Sequence, residues 1–305
     1  MLELLNELKN EVYDEATVSM WVVKRSAKVG KSYVANSVRL SPDLADRFLN
    51  VASDGMDLII EEEDYTTLAQ VNDNSVLSIS TVETSFPILI DEINQPPEEH
   101  WIENSKDLMR SVCFVIKIEF VSGNVLFCVK KSGVDWSATK RSKFIPTMFA
   151  NETLVVNEEP IFHIGNNFDF YAYKEGIFIR SKEKFESVLQ FKASYADDFG
   201  EMTSEPEFVN VFSNFAELQQ YVGTNTIQLR RMSAIRQKGF YKDRNFMERL
   251  KAINERDGWG IEFDQNDKIN ITKEKVRDII QVLLDHRLYS ELSLAKYDVP
   301  NAVKL

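Results

Sequence analysis

Residues 111–130 read Ser-Val-Cys-Phe-Val-Ile-Lys-Ile-Glu-Phe-Val-Ser-Gly-Asn-Val-Leu-Phe-Cys-Val-Lys. Two apolar runs rich in β-branched and aromatic residues flank Ser122-Gly123-Asn124, whose residue types suit a tight turn. The spacing predicts a hairpin of strands 111–120 and 124–130. Cys113 and Cys128 fall inside these runs and are expected to be reduced core residues. With only two cysteines in 305 residues, a disulfide scaffold is excluded.

Outward toward the N-terminus, 17–25 and 32–40 alternate in polarity and read as strands. Leu5, Leu8 and Val12 recur at helical spacing. Ser41-Pro42 reads as an N-cap followed by Pro at the first helical position, opening a helix to about residue 52. Short strands are expected at 58–60 and 66–71, around the acidic run Glu61-Glu62-Glu63-Asp64. Pro87 and the stretch 95–99 read as breakers in a surface loop. Outward toward the C-terminus, 154–156 is a further strand, and the polar 157–160 ending in Pro160 is the expected linker. A meander of 161–164, 168–173 and 176–179 follows, then a helix capped by Ser181. Helices dominate beyond it: one on Phe215, Leu218 and Val222, one over 227–238, and one on Phe246, Met247, Leu250 and Ile253. A hairpin of 260–263 with 268–271 precedes a last helix on Val276, Ile279, Ile280, Leu283 and Leu284. The expectation is an α+β protein: a β-rich, mixed α/β domain over 1–157 and a meander-plus-helices domain over 158–305.

The hydrophobic share is 44% and the charged share 28%, which excludes wholesale disorder. No run of about 18 apolar residues is present. Residues 1–13 carry Glu3, Glu7 and Glu11 with only Lys9, unlike a signal peptide, so a cytoplasmic protein is expected.

The net charge is −12, yet it is arranged in blocks. Residues 43–103 hold 15 acids and one base, Arg47; residues 106–143 hold eight bases and three acids. Residues 193–226 hold six acids and no base; residues 227–256 hold nine bases and three acids. One reading is that neighbouring blocks neutralise each other. The other is a basic groove for a polyanion, with acidic surface left for a second partner.

Catalytic motifs are weak. Gly30-Lys31-Ser32 resembles the end of a phosphate-binding loop, but the glycine required at position 25 is Arg25. His100, His163 and His286 stand apart from one another, without ligand spacing. Asp169, Gln190 and Lys192 follow the order of a divalent-metal nuclease, but Gln190 and Lys192 fall at the end of an expected helix rather than on a strand. No catalytic residue, metal ligand or cofactor is assigned.

The basic segment is more informative. Arg230, Arg231, Arg236, Lys238, Lys242 and Arg244 crowd two helices, with Arg249 and Lys251 beyond and Phe240 and Tyr241 between. Such residues neutralise phosphates and stack on bases. Arg236 falls on the same side as Leu229 and Met232, awkward for pure core packing and suited to a groove or an acidic partner. Lys140, Arg141 and Lys143 form a second candidate cluster.

Three stretches resemble one family: Asn167-Phe168-Asp169-Phe170 with Gly176-Ile177-Phe178-Ile179 and Lys184-Phe185-Glu186; Gln228-Leu229-Arg230-Arg231-Met232; and Tyr297-Asp298-Val299-Pro300-Asn301-Ala302-Val303-Lys304. Over about 160–305 the chain resembles the KwaB-like proteins of the bacterial Kiwa anti-phage system. The resemblance implies a cytoplasmic homodimer that binds DNA, assembles with a small multi-pass membrane protein and interferes with phage replication or expression. It implies no catalytic residue. Cytoplasmic loops of membrane proteins are rich in Lys and Arg, so Glu61, Glu62, Glu63 and Asp64 are the expected docking residues for that partner. A divalent-metal nuclease and an interaction subunit that binds no DNA are the two alternatives.

Overall fold

The computed structural model describes residues 1–94, 101–133, 147–150, 152–156, 162, 164–290, 292–293 and 295–299. The architecture is α+β and falls into two compact units. The first comprises residues 1–64 and 71–189; the second comprises 65–70 and 190–305.

In the first unit the elements are α1 (Leu2–Lys9), β1 (Thr17–Arg25), β2 (Tyr33–Val38), α2 (Pro42–Asp57), β3 (Glu61–Asp64), β4 (Ser75–Ser80), α3 (Phe86–Ile93), α4 (Ser105–Leu108), β5 (Cys113–Glu119), β6 (Val125–Lys131), β7 (Thr147–Ala150), β8 (Thr153–Val156), β9 (Phe170–Tyr173), β10 (Gly176–Ile179) and α5 (Lys182–Val188). Eight strands form one mixed sheet in the order β2-β1-β5-β6-β9-β10-β4-β3, with β7 and β8 paired separately. Only β3–β4 pairs in parallel; the other neighbours are antiparallel. The 111–130 hairpin is central, with Ile116 opposite Cys128, and Gly123 adopts the positive φ (86°) its turn needs. Both thiols are buried and reduced, and burial pushes that of Cys113 up to about 12.

The sheet is buried on both faces. Met20, Val22, Phe114, Ile116 and Cys128 pack with Leu5 and Leu8 of α1 and Phe48, Ala52 and Met56 of α2. In α2, Gly55 lets the helix approach the Tyr171 hydroxyl, where a Cβ would collide. On the other face Phe86 of α3 and Phe185 of α5 meet Phe170 edge to face at 6.3 and 5.2 Å.

Several expectations shift. The acidic run is itself a strand, β3, at the edge of the sheet, where charged residues discourage pairing with another chain. The segments 58–60 and 66–71 are not strands. Pro87 sits in the first turn of α3, where its missing N–H costs nothing. Helix α2 continues to Asp57. The units divide after Leu189 rather than after Asn157, because β9 pairs with β6 and β10 with β4 inside the first sheet. The expected linker at 157–160 lies outside the described residues, as do the breaker stretch 95–99, His100 and His163.

In the second unit the elements are α6 (Phe191–Met202), α7 (Pro206–Val209), α8 (Phe215–Val222), α9 (Thr226–Lys238), α10 (Arg244–Asp257), β11 (Glu262–Phe263), β12 (Ile269–Asn270), α11 (Val276–Leu283), β13 (Arg287–Ser290) and β14 (Ala295–Asp298). Gly239 and Gly258 end α9 and α10 in the left-handed conformation. Phe208 gathers the rings of Phe212, Phe215 and Tyr241 at 5.3, 5.7 and 5.0 Å. The strand pair β11–β12 and the hairpin β13–β14 follow the helices. Among the described residues no helix is long and apolar enough to cross a membrane.

Candidate nucleic-acid interface

Helix α9 begins at Asn225, whose side chain accepts from the backbone N–H groups of Ile227 and Gln228. It buries Leu229, Met232, Ser233, Ala234 and Ile235. Its cations are thereby placed, and they divide into two groups.

The first group is spoken for by the chain's own carboxylates. The guanidinium of Arg236 donates to Asp198 (3.1 Å), Glu201 (2.5 Å) and Glu205 (3.0 Å). The hydrogen bond to Glu201, set against partial burial, holds its pKa above the ordinary arginine value. Ser233 also donates to Asp198 (2.6 Å), and the Tyr241 hydroxyl donates to Glu205 (3.1 Å). Lys242 lies 3.9 Å from Glu205 and 3.5 Å from Glu207. The acidic block 193–226 thus neutralises one end of the basic helix. This corrects the expectation for Arg236: it is an internal clamp, not an open phosphate ligand. Arg244, on the next helix, makes an exposed pair with Glu248 at 2.8 Å, weak at such exposure.

The second group surrounds the end of α11. The Asp285 backbone N–H donates to Val282 O (2.9 Å) and that of His286 to Gln281 O (3.0 Å), closing the helix with Asp285 at φ 55°. Lys238 Nζ donates to the Leu284 carbonyl at 2.6 Å. Burial lowers the Lys238 pKa, and the charge of Asp285 partly restores it. His286 is buried, and its Nδ1 donates to Gln281 Oε1 at 3.1 Å. Its pKa is pushed down to about 4, first by burial and then by the charges of Lys238 and Arg231. Partial burial raises the pKa of Asp285, against the pull of Lys238 and Arg249. At this Asp285–His286 corner the charges of Lys238 and Arg249 thus act on Asp285, and those of Lys238 and Arg231 on His286. Arg231 is further steadied by Gln228 at 3.3 Å, and Arg230 lies 5.7 Å over the Tyr195 ring.

Beside this corner is a cleft of about 520 Å³ lined by residues of α10, β13 and β14. Sequence reading named Arg249 but missed Asp285 and the cleft. The available signal was a non-glycine residue directly after a helix of near-ideal periodicity.

The other candidates separate. Lys140, Arg141 and Lys143 lie outside the described residues. Glu61 and Asp64 are exposed on β3, while Glu62 accepts from Ser78 Oγ. Asp169 is buried and receives Lys131 N–H (2.7 Å), Lys184 Nζ (3.0 Å) and Lys130 Nζ (3.3 Å). It anchors the start of β9 and is not an open carboxylate. Gln190 is the left-handed residue (φ 62°) between α5 and α6, not a strand neighbour of Asp169. Among the described residues no group of three His, Cys, Asp or Glu side chains is placed to hold a metal ion.

Comparison with known proteins adds one match. The family model described as Kiwa protein KwaB-like covers residues 108–293, from the end of α4 into the loop after β13. No curated protein and no solved structure matches the chain. Because the family match spans more than half of the 305 residues, the chain belongs to the KwaB-like family of the Kiwa anti-phage defence system.

Proposed function

We propose that this Kiwa component is a DNA-binding effector that docks on a membrane partner and blocks phage replication or expression. The observation that carries the DNA reading is the placing of cations at the end of α11: Lys238 donates to the Leu284 carbonyl at 2.6 Å, and Arg249 lines the same cleft as Asp285. Lys238 stands in the last turn of α9, Arg231 within the same helix and Arg249 within α10, and phosphate contacts from such helix-borne cations give affinity without sequence preference. Phosphate contact at Arg230, Arg244 and the cluster Lys140, Arg141 and Lys143 belongs to the same reading, whereas Lys242, beside Glu205 and Glu207, is set apart with Arg236. In a gel shift, Arg231→Glu combined with Arg249→Glu abolishes retardation of duplex DNA; an unchanged shift refutes the corner as the DNA site.

Docking is assigned to β3. Its row of carboxylates at a sheet edge is complementary to the Lys- and Arg-rich cytoplasmic loops of a multi-pass membrane protein. The same reading makes the protein a homodimer, recruited to the inner membrane face from the cytoplasm.

A further inference from the structure

The cleft beside the corner has two kinds of wall. Phe246, Trp259, Tyr289 and Tyr297 contribute rings, and both tyrosines are about half exposed. Stacking surfaces of this kind, open to solvent, accept flat ligands.

The polar wall is mostly committed. Arg287 lies 5.6 Å over the Trp259 ring and pairs with Asp278 (2.6 Å) and Asp298 (3.2 Å). Arg256 pairs with Asp257 at 3.0 Å. Lys296 donates to the Asp257 carbonyl at 2.9 Å. Arg249 differs: among the described residues it has no carboxylate within ion-pair distance. Asp285 also lines the cleft, with its carboxylate unused by any ion pair among the described residues.

An occupant must therefore offer a planar ring for the aromatic wall, an anion for Arg249 and a donor for Asp285. A nucleotide has all three: a base, a phosphate, and an amino or ring N–H group. The volume also suits one small molecule rather than a polymer segment. We infer that the cleft between α10 and the β13–β14 hairpin binds a single nucleotide, its base against Tyr289 and Trp259 and its phosphate on Arg249. The nucleotide is either free in solution or the unpaired end of a DNA strand. This goes beyond duplex binding and rests on that reading only for the strand-end source.

The test titrates the full-length protein with deoxyadenosine monophosphate, with a 5′-phosphorylated single strand of about eight nucleotides, and with a blunt duplex. Trp259 fluorescence reports binding, and Trp259→Phe identifies the signal that comes from the cleft. Saturable quenching by the monophosphate assigns a free nucleotide, and quenching by the strand alone assigns a strand end. Tyr289→Ala and Arg249→Ala are each expected to weaken binding by about tenfold or more, whereas Arg277→Ala, an exposed cation of α11 outside the cleft, leaves it unchanged. Absence of saturable quenching by both the monophosphate and the single strand overturns the inference. So does equal binding by the Arg249→Ala and Arg277→Ala proteins. Arg231 does not line the cleft, so Arg231→Glu weakens the duplex arm and spares the nucleotide arm. A protein that binds duplex but takes no nucleotide overturns the cleft alone; one that takes a nucleotide but no duplex overturns the duplex reading alone.

Discussion

Asp285 holds a left-handed backbone at the end of α11, a position where glycine is the low-strain residue. Its negative charge also faces the negative end of the helix dipole. Asp285→Gly should raise stability by about 0.5–1 kcal/mol in thermal unfolding, and should tighten duplex DNA by removing the carboxylate from the cationic corner. A lower melting temperature would show that Asp285 is instead a structural partner of Lys238 and Arg249. His286 gives a pH signature. Its folded pKa is about 4, so the unfolded chain takes up the proton first as pH falls from 6.5. Stability is then lost between pH 6.5 and 4, on the order of 2 kcal/mol, with Lys238 and Arg231 opposing and Asp298 favouring the charge. Melts across that range should show the fall, and His286→Gln should flatten it; a flat wild-type profile would contradict the assignment. The sequence marked Arg236 as misplaced on an apolar side. What it could not reveal is that Asp198, Glu201 and Glu205 come round to meet it, since that depends on how α6 and the start of α7 lie along α9.

At the scale of elements, the α6–α9 pair is held in part by that clamp. Arg236→Ala should cost about 1–2 kcal/mol, because three carboxylates lose their shared cation, and it should leave duplex affinity nearly unchanged. A large loss of affinity without a loss of stability would return Arg236 to the interface. Helix α6 was not legible in the sequence, although Phe191, Tyr195, Phe199 and Met202 are buried at helical spacing, because the helix capped by Ser181 is expected to run on to Gln190 and Lys192, across the left-handed break at Gln190. The central hairpin was readable because both its strands are apolar and its turn is spelled out. Strand β3 was not, because four successive carboxylates oppose any strand preference and only pairing with β4 makes them one. The joint change Glu61→Gln, Glu62→Gln and Glu63→Gln should reduce recovery of the membrane partner in a co-purification several-fold. Undiminished recovery would leave β3 with only the role of a guarded sheet edge.

For the whole molecule, a net charge of −12 and DNA binding are compatible only if cations are concentrated where acids are not. The block pattern announced such a division, but about half of it closes internally, around Arg236 and Lys242. The cations left for phosphate are Arg231 and Lys238 of α9 and Arg249 of α10. Sequence order could not say which, because neighbouring blocks neutralise or reinforce each other only through the fold. The most direct test is duplex DNA affinity by fluorescence anisotropy across a salt series, comparing wild type, Arg236→Ala and Arg231→Glu/Arg249→Glu. The wild-type protein and Arg236→Ala should share a steep fall of log K with log salt. The double variant should bind far more weakly and lose about 0.9 of slope for each phosphate contact removed. A double variant that matches the wild-type slope and affinity, or an Arg236→Ala protein that loses both, would contradict the assignment of DNA binding to the Asp285 corner.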